Sequence, residues 1–146
     1  MDPLKTNANS AATTPLMQVK GLIKEFRAGE QTIRVLHDID LTIHQGEMVA
    51  IMGPSGCGKS TLMHILGLLQ PPDRDPRPVP TITLEGREIS ALSDRERTKI
   101  RASTMGFVFQ SFNLLPTLTA AENVALATEY AGQGRSKALV TAAEAL

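Results

Sequence analysis

Residues 53–61 read GPSGCGKST and directly follow the apolar run MVAIM at residues 48–52. The stretch contains an uninterrupted G-x-x-x-x-G-K-S pattern, which indicates a phosphate-binding loop when a strand enters it and a helix leaves it. Residues 47–52 predict that strand, and residues 60–69 predict that helix. The stretch therefore predicts a P-loop at the centre of an α/β fold. The alternative is a glycine-rich turn between a buried strand and a core helix, in which Lys59 and Ser60 have no packing purpose.

Each residue type in this loop suits a polyphosphate. Glycines allow positive φ, so successive backbone N–H groups turn inward toward phosphate oxygens, and the N-terminus of the following helix adds to the attraction. Lys59 supplies a flexible ammonium for the β- and γ-phosphates, the Ser60 hydroxyl is placed to ligate Mg²⁺, and Thr61 suits the α-phosphate side. The predicted binding residues of the loop are Gly53, Ser55, Gly56, Cys57, Gly58, Lys59, Ser60 and Thr61.

Composition excludes several classes of protein. The 146 residues are 42% hydrophobic, which is enough for one domain with a core. Fifteen basic and fifteen acidic residues give zero net charge, so no overall field favours nucleic acid as a partner. The single cysteine, Cys57, excludes an internal disulfide framework and fits a reducing cytosol, and no apolar run is long enough to cross a membrane. We expect a soluble chain that is not exported.

The N-terminal half predicts a small antiparallel sheet. Residues 1–16 lack periodicity and are expected to form a disordered leader. Residues 17–26 predict a strand, and the alternation in residues 32–36 and 39–43 predicts a second, hairpin-like pair. These strands are expected to form an antiparallel β subdomain that leads into the buried strand at 47–52.

The C-terminal half predicts a proline-rich loop followed by alternating strands and helices. Five prolines in residues 71–80 exclude a regular element, and two capping boxes, beginning at Ser93 and Thr119, predict helix starts. The expected elements are strands at 81–84 and 105–109, and helices at 93–102, at 119–131 and from 136 onward. The last helix should bury one apolar face, formed by Leu139, Ala142, Ala143 and Leu146.

Three separate stretches resemble the ATP-binding subunits of ABC transporters, most closely those that release lipoproteins or export macrolides. They are residues 47–69, residues 107–116 (FVFQSFNLLP) and residues 118–124 (LTAAENV). The resemblance covers nearly all of the chain after residue 16. It implies a P-loop NTPase core, here an incomplete parallel sheet, with ATP and Mg²⁺ as ligands.

The resemblance also assigns roles to two residues outside the P-loop. Gln110 matches the Q-loop glutamine, which contacts Mg²⁺ and the attacking water, and its alternative is a strand-end residue bonded to loop backbone. Phe26 matches the aromatic residue that stacks on adenine, and its alternative is a core phenylalanine. The other three phenylalanines are read as core or as a contact surface for the membrane subunit; they are Phe107, Phe109 and Phe112.

The departures from the family limit the expected activity. No signature of LSGGQ type, no Walker B strand ending in Asp-Glu and no switch histidine follows Gln110. The resemblance places a further strand, absent from this sequence, between the P-loop strand and the strand ending at Gln110. Each of these two predicted strands should therefore lack a neighbouring strand on that side. We therefore expect residues 17–146 to be the N-terminal part of an ATP-binding domain, poorly stable and prone to association, that binds ATP without hydrolysing it unaided.

The implied partners are a membrane-spanning transporter subunit and a second ATP-binding subunit, at the inner face of the plasma membrane. The alternative functions are a stand-alone P-loop enzyme resembling a nucleotide kinase, and a non-functional remnant of an ABC ATPase. The Gln110 segment argues against the kinase, whereas the remnant differs from the leading hypothesis only in whether it folds and binds nucleotide.

Overall fold

The computed structural model describes residues 14–73, 79–130 and 132–146. The chain forms two compact units, Met1–Ser93 and Asp94–Leu146. Most of the predicted disordered leader and the middle of the predicted proline-rich loop lie outside the described residues.

An antiparallel sheet forms the frame of the first unit, as the alternating N-terminal sequence predicts. Its strands are β1 (Met17–Ala28), β2 (Gln31–Ile43), β3 (Thr81–Leu84) and β4 (Arg87–Glu88). They are ordered β2-β1-β3-β4, and every neighbouring pair is antiparallel. The predicted N-terminal antiparallel subdomain and the α/β class are therefore confirmed.

The prediction of two strands within residues 32–43 is wrong, because β2 runs through both. Between the pairs Leu22↔Ile39 and Lys24↔Leu36, β2 has one more residue than β1. Asp38 adopts a positive φ of 54° at this bulge. A bulge absorbs one extra residue without ending the strand, which is why a local break in alternation does not become a turn.

Helix α1 (Lys59–Leu66) packs its apolar stripe against the sheet. Its buried residues are Leu62, Ile65 and Leu66, which lie three and four positions apart on one helical face. The sheet contributes Met17, Val19, Leu22, Leu36, Ile82 and Leu84 to the buried core, and Leu68 and Ile89 complete it. This packing fixes the N-terminus of α1 relative to β2.

The predicted strands at 47–52 and 105–109 are not formed, and no parallel strand pair occurs among the described residues. The side chains of Met48, Met52 and Val108 are 97%, 87% and 102% exposed. A strand is stabilised by hydrogen bonds to a neighbour, and none of the described residues pairs with either segment. The apolar composition of residues 47–52 and 105–109 is therefore not sufficient for these segments to form parallel strands.

Three helices form the second unit: α2 (Asp94–Thr104), α3 (Ala120–Tyr130) and α4 (Arg135–Ala145). The predicted capping box of α3 is confirmed, because the Glu122 amide donates to Thr119 Oγ1 (3.3 Å) and the Thr119 amide donates to Glu122 Oε2 (3.0 Å). Arg135 Nη2 at the start of α4 lies 3.2 Å from Glu122 Oε1. This ion pair joins the N-terminal turns of α3 and α4.

Small residues form the contact between α3 and α4. Ala125, Ala138 and Ala142 are fully or almost fully buried, and Leu139 packs against them. The predicted apolar face of α4 is correct for Leu139 and Ala142 and wrong for Ala143 and Leu146, which are exposed. Among the described residues, no helix is long and apolar enough to cross a bilayer.

Candidate functional site

The loop at residues 53–58 leads into α1 as the P-loop pattern predicts, whereas the strand predicted to enter it is not formed among the described residues. Gly58 is the N-cap of α1 with φ 93° and ψ 4°, and no side chain caps the helix. Gly56 has a φ of 80°. Residues with side chains rarely adopt these angles, so glycine is required for the chain to turn from the loop into the helix.

Gly58 also makes the closest approach between the loop and the sheet. A Cβ atom at Gly58 would lie 2.9 Å from the carbonyl oxygen of Val35 and 2.9 Å from Leu36 Cδ2. The pairs Lys24↔Leu36 and Glu25↔Arg34 leave Val35 as the extra residue of a second bulge in β2. The bulge therefore lies directly against the loop, a frequent position for bulges beside functional sites.

Lys59 folds over the loop that precedes it. Its Nζ donates to the carbonyl oxygens of Gly53 (2.9 Å) and Pro54 (2.7 Å) and lies 3.8 Å from Cys57 Sγ. The ammonium charge is thus held above the backbone of residues 53–57. A charge in this position would be within reach of an anion that enters the loop.

The backbone amides of the loop are largely available. Among residues 55–58, only the Cys57 amide donates to a backbone carbonyl of the described chain, that of Pro54 at 3.4 Å. The loop is open to solvent, and the Ser60 hydroxyl lies on the exposed side of the first helical turn. Free amides, a helix N-terminus and one ammonium together form a donor set that fits a polyphosphate.

The residues present fit Mg²⁺ only as a partner of bound phosphate. No group of three or more His, Cys, Asp or Glu side chains among the described residues could hold a metal by itself. Ser60 offers one hydroxyl oxygen next to the loop. Mg²⁺ commonly keeps few protein ligands and takes its remaining oxygens from phosphates and water, which agrees with this arrangement.

Phe26 lies on β1, opposite the stretch of β2 that precedes the bulge at Val35. It pairs with Ile33 on β2, and Ile33 is two residues from Val35, a distance of about 7 Å along a strand. The side chain is 39% exposed, so the ring is not a fully buried core residue. Lys24 Nζ lies 5.6 Å from the ring centroid.

Gln110 belongs to the second unit, Asp94–Leu146, and follows α2 in an exposed, irregular segment. Near it, the rings of Phe107 and Phe109 stack with centroids 5.9 Å apart. Phe112 is 91% exposed, which excludes a core role for its side chain in the described structure. Phe26 and the loop belong to the same unit, and the roles of Phe26 and Gln110 stay predictions.

Sequence reasoning missed the contact between Lys24 and Asp73. Lys24 Nζ lies 2.5 Å from Asp73 Oδ1, and the Glu25 amide donates to Asp73 Oδ2 at 2.5 Å. The available signal was a lysine within the strand pattern of residues 17–26. Its partner lies 49 residues away, beyond the reach of local pattern reasoning.

Comparison with known proteins assigns the family. The sequence profile of the ABC transporter family, ABC_tran, matches residues 36–146. This chain belongs to the ABC transporter family. The matched region includes the loop, α1 and the segment that contains Gln110.

Three relatives show how much of an ABC transporter protein the chain represents. It is 54% identical over 125 residues to the macrolide export ATP-binding/permease protein MacB of Psychrobacter arcticus, covering 86% of this chain and 18% of that protein. It is 45% identical to the uncharacterized ABC transporter ATP-binding protein YknY of Bacillus subtilis and 42% identical to the lipoprotein-releasing system ATP-binding protein LolD 2 of Caulobacter vibrioides. These two matches cover 90% of this chain and 55% and 56% of the relatives.

A solved ABC structure confirms the fold class. The ATP-binding cassette MJ0796, solved as a dimer in a post-hydrolysis state bound to ADP and Pi, is 38% identical with a TM-score of 0.75. The match covers 88% of this chain and 54% of that cassette. This chain therefore spans about half the length of the cassettes that it resembles.

Proposed function

We propose that this chain is an ATP-binding part of an ABC transporter and that residues 53–61 hold the phosphates of MgATP. The observation that carries the proposal is the position of Lys59 Nζ, 2.9 Å and 2.7 Å from the carbonyl oxygens of Gly53 and Pro54. The charge lies against the loop that precedes the N-terminus of α1. These groups together supply the donors and the positive potential that a polyphosphate requires.

Individual residues have distinct roles in this proposal. The amides of Gly53, Ser55, Gly56, Cys57 and Gly58 face phosphate oxygens, Lys59 binds the β- and γ-phosphates, and Thr61 binds on the α-phosphate side. Ser60 and Gln110 are the proposed Mg²⁺ ligands. When bound, the ion would neutralise phosphate charge and favour phosphoryl transfer.

Phe26 is the proposed stacking surface for adenine. Its ring is partly exposed and lies on the strand paired with the bulge that contacts Gly58. Stacking of a base on an aromatic side chain contributes about 1–3 kcal/mol in nucleic-acid complexes. The same contact would add base selectivity to a loop that binds only phosphates.

The relatives support a role in transport for the whole protein. MacB is named for macrolide export and includes a permease, LolD 2 is named for lipoprotein release, and MJ0796 forms a dimer. We propose that ATP binding and hydrolysis drive export or lipoprotein release through a membrane-spanning partner, with a second ATP-binding subunit, at the cytoplasmic face of the plasma membrane. Gln110 would take part in hydrolysis and report nucleotide state to the membrane partner.

Family membership disfavours a stand-alone nucleotide kinase. The remaining alternative is a remnant that does not bind nucleotide. Limited proteolysis with and without MgATP would separate a chain that binds nucleotide from such a remnant. Ligand binding stabilises the folded state and so lowers the unfolded population that proteases cleave.

Titration of the 146-residue chain with MgATP tests the proposal directly. A hydrogen bond to a charged group contributes about 1.5–3 kcal/mol, so Lys59→Ala should weaken binding roughly 10- to 150-fold. Lys20→Ala is the matched control, because Lys20 is an exposed lysine on β1. Equal ATP affinity in the wild type and the Lys59→Ala variant would contradict the proposed phosphate site.

A further inference from the structure

Both carboxylate oxygens of Asp73 bind strand β1. Oδ1 accepts from Lys24 Nζ and Oδ2 accepts from the Glu25 amide, each at 2.5 Å. Asp73 belongs to the segment that follows α1. The carboxylate therefore ties that segment to two successive residues of the strand that carries Phe26.

Lys24 is an unusual residue for its position. It is 8% exposed and is one of the two buried polar or charged residues in the described part of the chain, the other being Ser90. A buried ammonium is retained only when it is paired, and an apolar side chain of similar volume often gives equal or greater stability. The buried pair is therefore weak evidence for a purely stabilising role of Lys24.

The ammonium of Lys24 lies near the ring of Phe26. Residues 24 and 26 are two apart on β1 and lie on the same face of the sheet. Lys24 Nζ lies 5.6 Å from the Phe26 ring centroid, within the range of a cation–π contact. The Asp73 carboxylate thus binds the same ammonium that lies over the ring.

We propose that Asp73 is a positioning residue for the base of the nucleotide. Through Lys24 it holds the Phe26 ring ready for stacking, and so it favours a nucleoside triphosphate over a bare polyphosphate. This inference rests on the proposed stacking of adenine on Phe26. It adds a residue, and a source of base selectivity, to the site formed by the loop.

Comparison of two ligands tests the selectivity. The 146-residue chain is titrated with MgATP and with magnesium tripolyphosphate, which has the phosphates but no base. In Asp73→Ala we expect ATP affinity to fall roughly 3- to 10-fold and tripolyphosphate affinity to stay unchanged. Asp73→Asn, which keeps an acceptor for the Glu25 amide without the negative charge, should give a smaller loss.

Two further variants separate positioning from a general effect on the sheet. Arg34→Gln removes another ion pair of β1, the 2.7 Å contact between Arg34 Nη2 and Glu25 Oε1, and should leave both affinities unchanged. Asp73→Ala in a Phe26→Ala background should cause no further loss of ATP affinity, because the ring through which Asp73 acts is absent. The inference is overturned if Asp73→Ala lowers the affinity for ATP and for tripolyphosphate equally. It is also overturned if Asp73→Ala lowers ATP affinity as much in the Phe26→Ala background as in the wild type.

A measurement without nucleotide distinguishes failure of this inference from failure of the proposed function. In spectra of the chain with ¹³C-labelled phenylalanine, Asp73→Ala should shift the Phe26 ring resonances, and Arg34→Gln should not. Unchanged Phe26 resonances overturn the positioning role even when ATP binds. If the wild-type chain binds neither ligand, the proposed phosphate site fails, and the resonances still decide whether Asp73 positions the ring.

Discussion

The carbonyl oxygen of Val35 occupies the space into which a side chain at Gly58 would extend. A Cβ atom at Gly58 would come within 2.9 Å of that oxygen, closer than real Cβ contacts allow. Val35 is the extra residue of a β2 bulge, and Gly58 is the N-cap of α1. The bulge and the helix start therefore fit one another only when residue 58 lacks a side chain.

Gly58→Ala should destabilise the chain more than Gly56→Ala. Both positions have positive φ, which costs an alanine about 1–2 kcal/mol. At Gly56 no atom lies within 4 Å of an added Cβ, whereas at Gly58 the added atom meets backbone, so overpacking adds about 1–3 kcal/mol. Urea unfolding of both variants measures the difference, and equal losses would show that Val35 moves aside freely.

Ile65→Ala should lower the free energy of unfolding by about 2–5 kcal/mol, since Ile65 is fully buried between α1 and the sheet. Met63→Ala on the same helix is the control, because Met63 is 55% exposed and its loss should change stability by less than about 0.5 kcal/mol. Chemical denaturation followed by circular dichroism gives both values. A small effect at Ile65 would contradict the packing of α1 on the sheet.

The helix pair α3 and α4 should lose stability in acid through Glu122. Hydrogen bonds from the Thr119 amide and hydroxyl, and then the nearby Arg135, hold the pKa of Glu122 below its ordinary value of 4.5. A lowered pKa in the folded state contributes stability above that ordinary value, and the contribution is lost as pH falls through the folded-state value. The free energies of unfolding of the wild type and of Glu122→Gln should therefore differ above pH 4.5, and they should become equal below the folded-state pKa of Glu122.

Thr119→Ala provides the matched test of this pH dependence. It removes the hydroxyl that donates to Glu122 Oε2 at 2.9 Å. The pKa of Glu122 should move back toward its ordinary value, and the dependence of stability on pH should become weaker. An unchanged pH profile in Thr119→Ala would rule out the hydroxyl as a cause.

Alkylation of Cys57 should compete with nucleotide. Its exposed sulfur lies 3.8 Å from Lys59 Nζ, so a bulky adduct would fill the space above the loop. We expect prior alkylation to abolish MgATP binding, and bound MgATP to slow alkylation. A small alkylating reagent should reduce ATP affinity less than a large one. Full ATP affinity after complete modification by a large reagent would place Cys57 outside the site.

Features set by local sequence could be predicted. The loop at residues 53–61 and the Thr119–Glu122 capping box depend on contacts within a few residues, and the structure contains both. The antiparallel sheet followed from alternation, although the hairpin expected within residues 32–43 is a single strand, β2, paired with β1. Residue types and spacing were sufficient for these features because the interacting groups are neighbours in sequence.

Features that depend on distant partners could not be predicted in the same way. Residues 47–52 and 105–109 have the composition of strands, but a strand also requires a neighbour, which the described residues do not supply. The pair formed by Lys24 and Asp73 depends on the path of the chain after α1. The placement of Gln110 relative to the loop likewise depends on tertiary arrangement, which local sequence patterns do not specify.

The hydrogen bonds from Lys59 to Gly53 and Pro54 make ligand entry an exchange of partners. The ammonium already has two carbonyl acceptors, so a phosphate must be a better acceptor than these oxygens to draw it away. The measured affinity is then a difference between two sets of hydrogen bonds, smaller than the full strength of the lysine–phosphate contact. Weakly basic anions, which cannot outcompete amide carbonyls, would leave the lysine where it is, and the loop would thereby discriminate among anions before any base is recognised.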